Sequence, residues 1–383
     1  MAAAAAAGVV QRMEACQADR SPWAGAPCLQ PVRREAQAHR IHTYFNVSPE
    51  SPDGRFVLYF VSEDPAAACG ALAVTDRRDG SERIIAEAVR VEDAHRVALQ
   101  QWTCNGTHVV FRNLREKAVG GAVVETVALA TGERRIVAEG WDLGIGSPAL
   151  DSVPLHALHW APGGNDSLVW LHVPSGRIRP AFEVDAIRAA FPDWVEQTFG
   201  DRPTAIVFTV LSPDGQRAFG KLGTPLSGRM GTPTASQRKG LIGLDLQKGG
   251  PLFLKPDWGH PAWLPDNRTI LNVRNVLLDT DTGRSRTIPG LPVFRGNHPA
   301  PDPTGRFFLS ETYLDDRAEQ WALHVADLTG RGYQRLLLYD VQGGATSWRR
   351  PHAHAVFSPD GARIYLNLNR GPWTGLHVMS AGG

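Results

Sequence analysis

Residues 357–368 read FSPDGARIYLNL, an apolar residue, then Ser-Pro-Asp-Gly, then a second apolar run. Proline presets the φ of the first central turn residue and glycine accepts a positive φ, so this tetrapeptide favours a tight turn. Apolar residues then alternate over 364–368, which is typical of a half-buried β-strand. The stretch predicts a strand, a tight turn and a second strand.

The same frame occurs seven times along the chain. The turn glycine, or its asparagine equivalent, falls at Gly54, Gly106, Gly164, Gly215, Asn267, Gly305 and Gly361. The intervals run from 38 to 58 residues, with several strands in each copy. Such spacing indicates the blades of a propeller rather than the units of a helical solenoid. The sequence therefore predicts an all-β fold, a seven-bladed β-propeller.

One segment departs from this frame. Residues 182–199 read FEVDAIRAAFPDWVEQTF, with apolar residues at helical intervals and Pro192 placed to kink or split a helix. We expect a short helical insertion between blades three and four, either packed on the propeller edge or capping a substrate. Residues 1–35 show no strand pattern and are expected to form a partly disordered arm that lends an outer strand to close the ring. Residues 36–383 are expected to form the propeller domain.

Composition narrows the class of partner. The 383 residues are 43% hydrophobic, enough for a large core, and the formal net charge is +1. A nucleic-acid partner normally needs an electropositive face, so none is expected. No apolar stretch is long enough to span a bilayer, and the first residues lack the basic region of a signal peptide. We expect a cytoplasmic monomer or homodimer without a membrane partner, the periplasm being the alternative location.

Histidine recurs at one position of the repeat. Seven residues before each turn glycine or its equivalent, the sequence has Val47, Leu99, Ala157, Phe208, His260, His298 and His354. The strand before the turn is the innermost strand of a blade, so this column lines the channel. Three of the 13 histidines of the chain lie in it. Inner-strand polar residues also bond to one another and to channel water without chemistry, but three histidines in one column favour a functional site.

Three of the histidines suit a metal ion. His352 lies two residues before His354, so both side chains project from one face of a strand, and His298 comes from the neighbouring blade. Neutral imidazole is the commonest metal ligand among side chains. Three such ligands leave a divalent cation with open positions for water or a substrate carboxylate.

Substrate-binding candidates flank this group. Arg349 and Arg350 come directly before the histidine pair, and guanidinium groups bind carboxylates in a bidentate manner. Blade one adds His42 and Tyr44, because closure of the ring makes blade one the neighbour of blade seven. Tyr313 is a further candidate, for stacking on a sugar or returning a proton to a leaving oxygen.

These residues resemble a known family. The runs HPAPDPTGRFFLSETY, WGHPAWLPDN and RRPHAHAVFSPDG are similar to the corresponding blades of the oligogalacturonate lyases, which are seven-bladed propeller polysaccharide lyases. The run HTYFNVSPESPDG and the QQW of residues 100–102 are also similar to the related propeller ulvan lyases. The similarity extends from about His39 to the end of the chain and is most specific in the last three blades.

The resemblance implies a role for each matching residue. His298, His352 and His354 would bind a divalent cation, which is manganese in the oligogalacturonate lyases, and His260 would be the catalytic base. Arg238 is carried over as the arginine on the blade before the base. The fourth ligand of the family is a glutamine three residues before the first histidine of the pair. Here that position is Arg349, which cannot ligate a cation and is expected to bind substrate carboxylate instead.

The predicted function is therefore a carbon–oxygen lyase acting on acidic oligosaccharides such as oligogalacturonides by metal-assisted β-elimination. A base removes the proton on C5 beside the C6 carboxylate, and the bond from C4 to the glycosidic oxygen breaks. The charge that develops on the carboxylate must be neutralised in the transition state. No glycosidase-type carboxylate pair stands at the inner-strand register, which disfavours hydrolysis. Two alternatives stay open, a non-catalytic binding or scaffold propeller and an inactive member of the family.

Overall fold

The computed structural model describes residue 23 and residues 27–34, 37–161 and 165–381. Within these residues the strands form seven four-stranded antiparallel sheets. The seven-bladed β-propeller predicted from the repeat is confirmed.

The first six blades each take four consecutive strands, ordered across the sheet as they are along the chain. The strands, in chain order, are β1 (Cys28–Pro31), β2 (His39–Ile41), β3 (Phe56–Ser62), β4 (Cys69–Asp76), β5 (Glu82–Arg90), β6 (Gln101–Thr103), β7 (His108–Leu114), β8 (Ala122–Ala128), β9 (Arg134–Glu139), β10 (Trp141–Leu143), β11 (Ser152–Ala157), β12 (Leu168–His172), β13 (Arg177–Phe182), β14 (Ala205–Leu211), β15 (Arg217–Pro225), β16 (Ser236–Asp245), β17 (Gly250–Lys255), β18 (Ala262–Trp263), β19 (Thr269–Asn272), β20 (Val276–Asp279), β21 (Ser285–Thr287), β22 (Gly296–Pro301), β23 (Phe307–Tyr313), β24 (Gln320–Asp327), β25 (Tyr333–Asp340), β26 (Val356–Phe357), β27 (Arg363–Arg370) and β28 (Trp373–Ser380).

The last blade joins the two ends of the chain. It consists of β26, β27 and β28 with β1 as its outer strand, in the antiparallel register that pairs Cys28 with Ser380 and Pro31 with His377. A strand from the segment assigned to the arm therefore completes the ring. Residues 1–22, 24–26 and 35 of the expected arm lie outside the described residues.

A buried ion pair joins the last blade to the first. Both oxygens of the Glu50 carboxylate accept hydrogen bonds of 2.8 Å from the guanidinium of Arg363 on β27. Glu50 is 2% exposed, so the pair is shielded from water. The bidentate geometry fixes the two blades against each other.

The helices lie between β13 and β14. They are α1 (Val184–Ala190) and α2 (Pro192–Phe199), and short 3₁₀ turns occur at Cys104–Gly106, Val119–Gly121 and Val273–Asn275. Pro192 is the first residue of α2, where its missing N–H is tolerated, and it splits the segment in two as its sequence indicates. Ile187 and Phe199 are buried in a core shared with Ile206 of β14. Among the helices that the structure describes, none has the length and apolar character needed to cross a membrane.

Candidate active site

The inner strands carry an unusual backbone at the column of the repeat that holds the histidines. Leu99, Phe208, His298 and His354 all have a positive φ, between 47° and 62°. The strand register shifts at this point in β14 and β22. A left-handed backbone at a non-glycine residue costs roughly 1–2 kcal/mol, so the surrounding packing must hold it. Such bulges re-aim side chains beside active sites.

Four imidazoles converge at this column. His95, His298, His352 and His354 each offer one ligand atom, and these atoms lie within 4.8 Å of one another. Four nitrogens that share one cation at about 2.1 Å in a tetrahedral arrangement lie about 3.4 Å apart, so the group must contract to bind an ion. The structure therefore brings together the three predicted metal ligands and adds His95, which the sequence analysis missed.

Four ring nitrogens of this cluster lack hydrogen-bond partners within the described residues. Nε2 of His298, Nδ1 of His352 and both ring nitrogens of His354 are buried without a hydrogen bond. Burial lowers the pKa of His298 to about 3 and that of His352 to about 4, so the rings are neutral near pH 7. A buried polar atom without a partner costs about 1–3 kcal/mol. A divalent cation would satisfy these atoms together, and the residues fit one.

A buried carboxylate orients the cluster. Oε2 of Glu311 lies 3.1 Å from Nδ1 of His298, and Oε1 accepts a 2.8 Å hydrogen bond from the backbone N–H of Ala355. Burial raises the pKa of Glu311 to about 7. A carboxylate on one ring nitrogen fixes the ring of a metal-binding histidine and leaves the other nitrogen for the metal. Sequence analysis did not single out Glu311, although it is the only carboxylate in the strand run FFLSETY.

The loop between β5 and β6 supplies His95. Oδ1 of Asp93 accepts hydrogen bonds from the backbone N–H groups of His95 at 2.9 Å and Arg96 at 3.1 Å. Oδ2 of Asp93 accepts a hydrogen bond of 2.8 Å from Nε of Arg349. Nδ1 of His95 lies 3.3 Å from the carbonyl oxygen of Arg350. The run EDAHR was the available signal, but it stands outside the repeat column.

A cavity of about 270 Å³ opens beside the histidines. Its walls are formed by Tyr44, His95, Arg96, Phe208, Lys221, Ser236, Arg238, Trp258, His260 and Arg349. Four of these side chains are cationic types, and the hydrogen bond from Arg349 to Asp93 offsets one of them. Nζ of Lys221 lies 4.1 Å from the ring centroid of Trp258. This wall suits an anionic ligand that also presents a flat apolar face.

The positive charges in the cavity perturb one another. Burial, reinforced by the charges of Arg96 and Arg349, lowers the pKa of Arg238 to about 10. The same combination of burial and neighbouring cations holds the pKa of Lys221 well below its usual range. A bound anion would relieve this repulsion. The cavity is therefore electrostatically prepared for a negative ligand.

His260 stands in the cavity wall next to the cluster. Its ring centroid lies 4.9 Å from that of His298, and its backbone N–H donates a 2.9 Å hydrogen bond to Oδ1 of Asn272. Burial, followed by the charges of His298 and Lys221, lowers the pKa of His260 to about 2. The imidazole is therefore neutral near pH 7.

Of the remaining predicted residues, Tyr44 and His42 lie at the site, whereas the side chains of Arg350 and Tyr313 do not line the cavity. Tyr44 lines the cavity with its ring 4.8 Å from His354, and burial raises its pKa to about 12. His42 is buried behind the cluster, 6.4 Å from His354 between ring centroids. Arg350 is exposed and reaches the site only through its carbonyl group. Tyr313 lies outside the cavity, with its ring 5.7 Å from that of Trp321.

Comparisons with known proteins show the fold. No protein-family model matches the sequence, and no curated protein sequence matches it. Among solved structures, oligogalacturonate lyase from Vibrio parahaemolyticus matches with a TM-score of 0.64 at 10% identity, over 92% of this chain and 93% of that chain. A chain of the mitotic checkpoint complex matches at 0.56 and 12% identity, over 100% and 99% of the two chains. Hydrazine synthase from Kuenenia stuttgartiensis matches at 0.52 and 14% identity, over 88% and 95%.

Fold and site together define a seven-bladed β-propeller with a four-histidine cluster beside a cationic cavity. The structural neighbours include enzymes and a checkpoint assembly, so the fold alone does not assign an activity. The structural likeness to oligogalacturonate lyase shows a shared fold.

Proposed function

We propose that this protein is a lyase that cleaves uronic-acid-containing oligosaccharides by β-elimination. One observation carries the proposal: a cavity walled by Arg96, Lys221, Arg238 and Arg349 also contains His260 in its wall and lies against a cluster of possible metal ligands. An acidic oligosaccharide supplies the negative charge that this wall lacks. The likeness of the fold to an oligogalacturonate lyase supports the same conclusion.

The residues divide the reaction between them. His260 accepts the C5 proton, the C5–H electrons form the C4–C5 double bond, and the C4–oxygen bond breaks. Arg238 and Lys221 hold the carboxylates of the substrate, because both basic side chains line the cavity and neither has a carboxylate partner among the described ion pairs. Tyr44, which keeps its proton near pH 7, donates a proton to the leaving glycosidic oxygen.

A metal ion fits the same scheme. His298, His352 and His354 would hold it, together with His95. When bound, a divalent cation neutralises the charge that develops on the C6 carboxylate as the C5 proton leaves. Glu311 keeps the ring of His298 in position for that ion.

The test is incubation of the purified protein with oligogalacturonate and other uronic oligosaccharides in the presence of manganese or zinc. We expect ultraviolet absorbance from the unsaturated product to rise with the wild type and to be lost with His260→Ala. The matched control is His172→Ala, because His172 is a partly exposed histidine on β12 outside the cavity.

Two results would contradict the proposal. Undiminished product formation by His260→Ala removes the assignment of the base. Binding of uronic oligosaccharides without product, at every metal tested, would instead support a non-catalytic binding propeller.

A further inference from the structure

We propose that His95 is a fourth metal ligand and that the resulting all-imidazole site prefers Zn²⁺ to Mn²⁺. The inference deepens the proposed function and rests on it for the catalytic meaning of the metal. It replaces manganese, which the sequence resemblance implies, by an ion chosen from the donor atoms of this chain.

All the possible metal donors in this cluster are imidazole nitrogens. The possible ligand group consists of His95, His298, His352 and His354, and it contains no carboxylate. The nearby carboxylate of Glu311 is occupied by the ring of His298 and the backbone N–H of Ala355. It therefore acts on the metal through His298 and does not contribute an oxygen of its own.

The loop that carries His95 is anchored by Asp93. Asp93 accepts a hydrogen bond from the backbone N–H of His95 with one oxygen and a hydrogen bond from Arg349 with the other. Arg349 occupies the position at which the resemblance implies a glutamine ligand, and its guanidinium has no lone pair to offer a metal. The carboxylate of Asp93 thus binds Arg349, which cannot ligate a metal, and also fixes the loop that supplies His95 as a ligand.

The orientation of the His95 ring is also fixed. Its Nδ1 lies 3.3 Å from the carbonyl oxygen of Arg350, so this nitrogen carries the proton and donates to that oxygen. The other nitrogen, Nε2, is left as an electron-pair donor. A backbone carbonyl on one ring nitrogen is a common way to fix the tautomer of a metal-binding histidine.

Four neutral imidazole nitrogens favour Zn²⁺ over Mn²⁺ among the divalent metal ions. Affinity for a given site rises from Mn²⁺ towards Cu²⁺, with Zn²⁺ well above Mn²⁺, and imidazole suits zinc whereas carboxylate, carbonyl and water oxygens suit manganese. Zinc accepts four ligands readily and expands to five in some transition states, which leaves a place for a substrate carboxylate.

Titration calorimetry on chelator-treated protein tests the preference. Zn²⁺ and Mn²⁺ are added in separate experiments, and we expect zinc to bind on the order of 100-fold more tightly. Equal affinities, or tighter binding of manganese, overturn the proposal.

Substitution tests the role of His95. We expect His95→Ala, which removes a ligand, to weaken zinc binding by more than the roughly 10- to 100-fold seen when only an outer support of a metal site is lost. The matched control is His324→Ala, because His324 is a buried histidine in blade six that is absent from the cluster. Unchanged zinc affinity in folded His95→Ala, checked by circular dichroism, overturns the proposal.

Cobalt(II) provides a readout on the unaltered chain. Bound to the wild type, cobalt(II) should show the intense visible absorption of a four-coordinate nitrogen site. The weak bands of a six-coordinate site would overturn the proposal. This measurement needs no variant, so it remains available if His95→Ala does not fold. The proposed function fails separately. If the protein binds zinc tightly but forms no product from any uronate, the proposed function fails and the zinc inference stands. If the protein forms product and binds manganese more tightly than zinc, the zinc inference fails and the proposed function stands.

Discussion

Oε2 of Glu311 lies 3.1 Å from Nδ1 of His298, and neither side chain is more than 1% exposed. The other oxygen of Glu311 accepts the backbone N–H of Ala355, which follows His354. One carboxylate therefore ties β23 of blade six to the inner segment of blade seven and sets the spacing of two candidate ligands.

This relationship predicts that Glu311 controls metal affinity without touching the metal. Glu311→Ala should weaken metal binding about 10- to 100-fold, because the ring of His298 loses its support, whereas Glu311→Gln should weaken it less since an amide oxygen still accepts a hydrogen bond. Calorimetry measures both. Glu116→Ala, at a side chain 82% exposed, is the control. Equal affinities for wild type and Glu311→Ala would refute the prediction.

Two adjacent basic residues of β16 allow a specific contact with the substrate to be distinguished from the effect of the protein's overall positive charge. Arg238 lines the cavity and Lys239 is exposed. Arg238→Ala should raise KM for an acidic oligosaccharide roughly 10- to 100-fold, because a hydrogen bond to a charged group contributes about 1.5–3 kcal/mol. Lys239→Ala should leave KM unchanged. Equal effects of the two substitutions on steady-state kinetics would show that the cavity does not bind the carboxylate.

A buried ion network predicts a large loss of stability. Arg112 donates to both oxygens of Asp142, at 3.0 and 3.2 Å, and to Glu92 at 3.4 Å, and all three side chains are at most 2% exposed. Arg112→Met should lower the free energy of unfolding by about 3–5 kcal/mol, since two buried carboxylates lose their counter-ion. Urea denaturation measures the change.

The control for this prediction is an exposed ion pair. Arg90→Ala breaks a contact with Glu116 in which both side chains face solvent. It should cost less than about 1 kcal/mol. A loss at Arg112 no larger than that at Arg90 would mean that the buried network does not contribute to stability.

Buried histidines outside the site predict lower stability in mild acid. Burial lowers the pKa of both His324 and His377 to about 4, whereas an unfolded histidine titrates near about 6.5. Between those values the unfolded chain binds protons that the folded chain does not, so the free energy of unfolding falls as the pH falls below about 6.5. Urea denaturation at about pH 7.5 and about pH 5.5 measures the drop.

Substitution isolates the contribution of one ring. The ring of His324 stacks on Phe294 with centroids 5.0 Å apart, so phenylalanine fits the position and cannot be protonated. His324→Phe should reduce the loss between the two pH values, and His172→Phe, at a partly exposed site, is the control. An identical pH dependence in the two variants would contradict this account.

Local features of the chain predicted the architecture. The recurring turn before an alternating strand, Ser-Pro-Asp-Gly in three copies and a related sequence in four, specifies its own geometry, so seven copies indicated seven blades. Pro192 indicated where the helical segment divides. The column of His260, His298 and His354 followed from the same register. These inferences succeed because turn chemistry and side-chain alternation act over a few residues.

Only the tertiary structure showed which residues complete the histidine cluster and the cavity. His95 and Asp93 lie in a loop between blades, and Lys221 projects from a second strand, so none occupies the repeated position. Arg350 follows Arg349 directly, yet its side chain is exposed while Arg349 turns to Asp93. The ring brings residues some 250 positions apart into contact, as in the bond between Asp93 and Arg349, and no periodicity along the chain encodes which loops meet there.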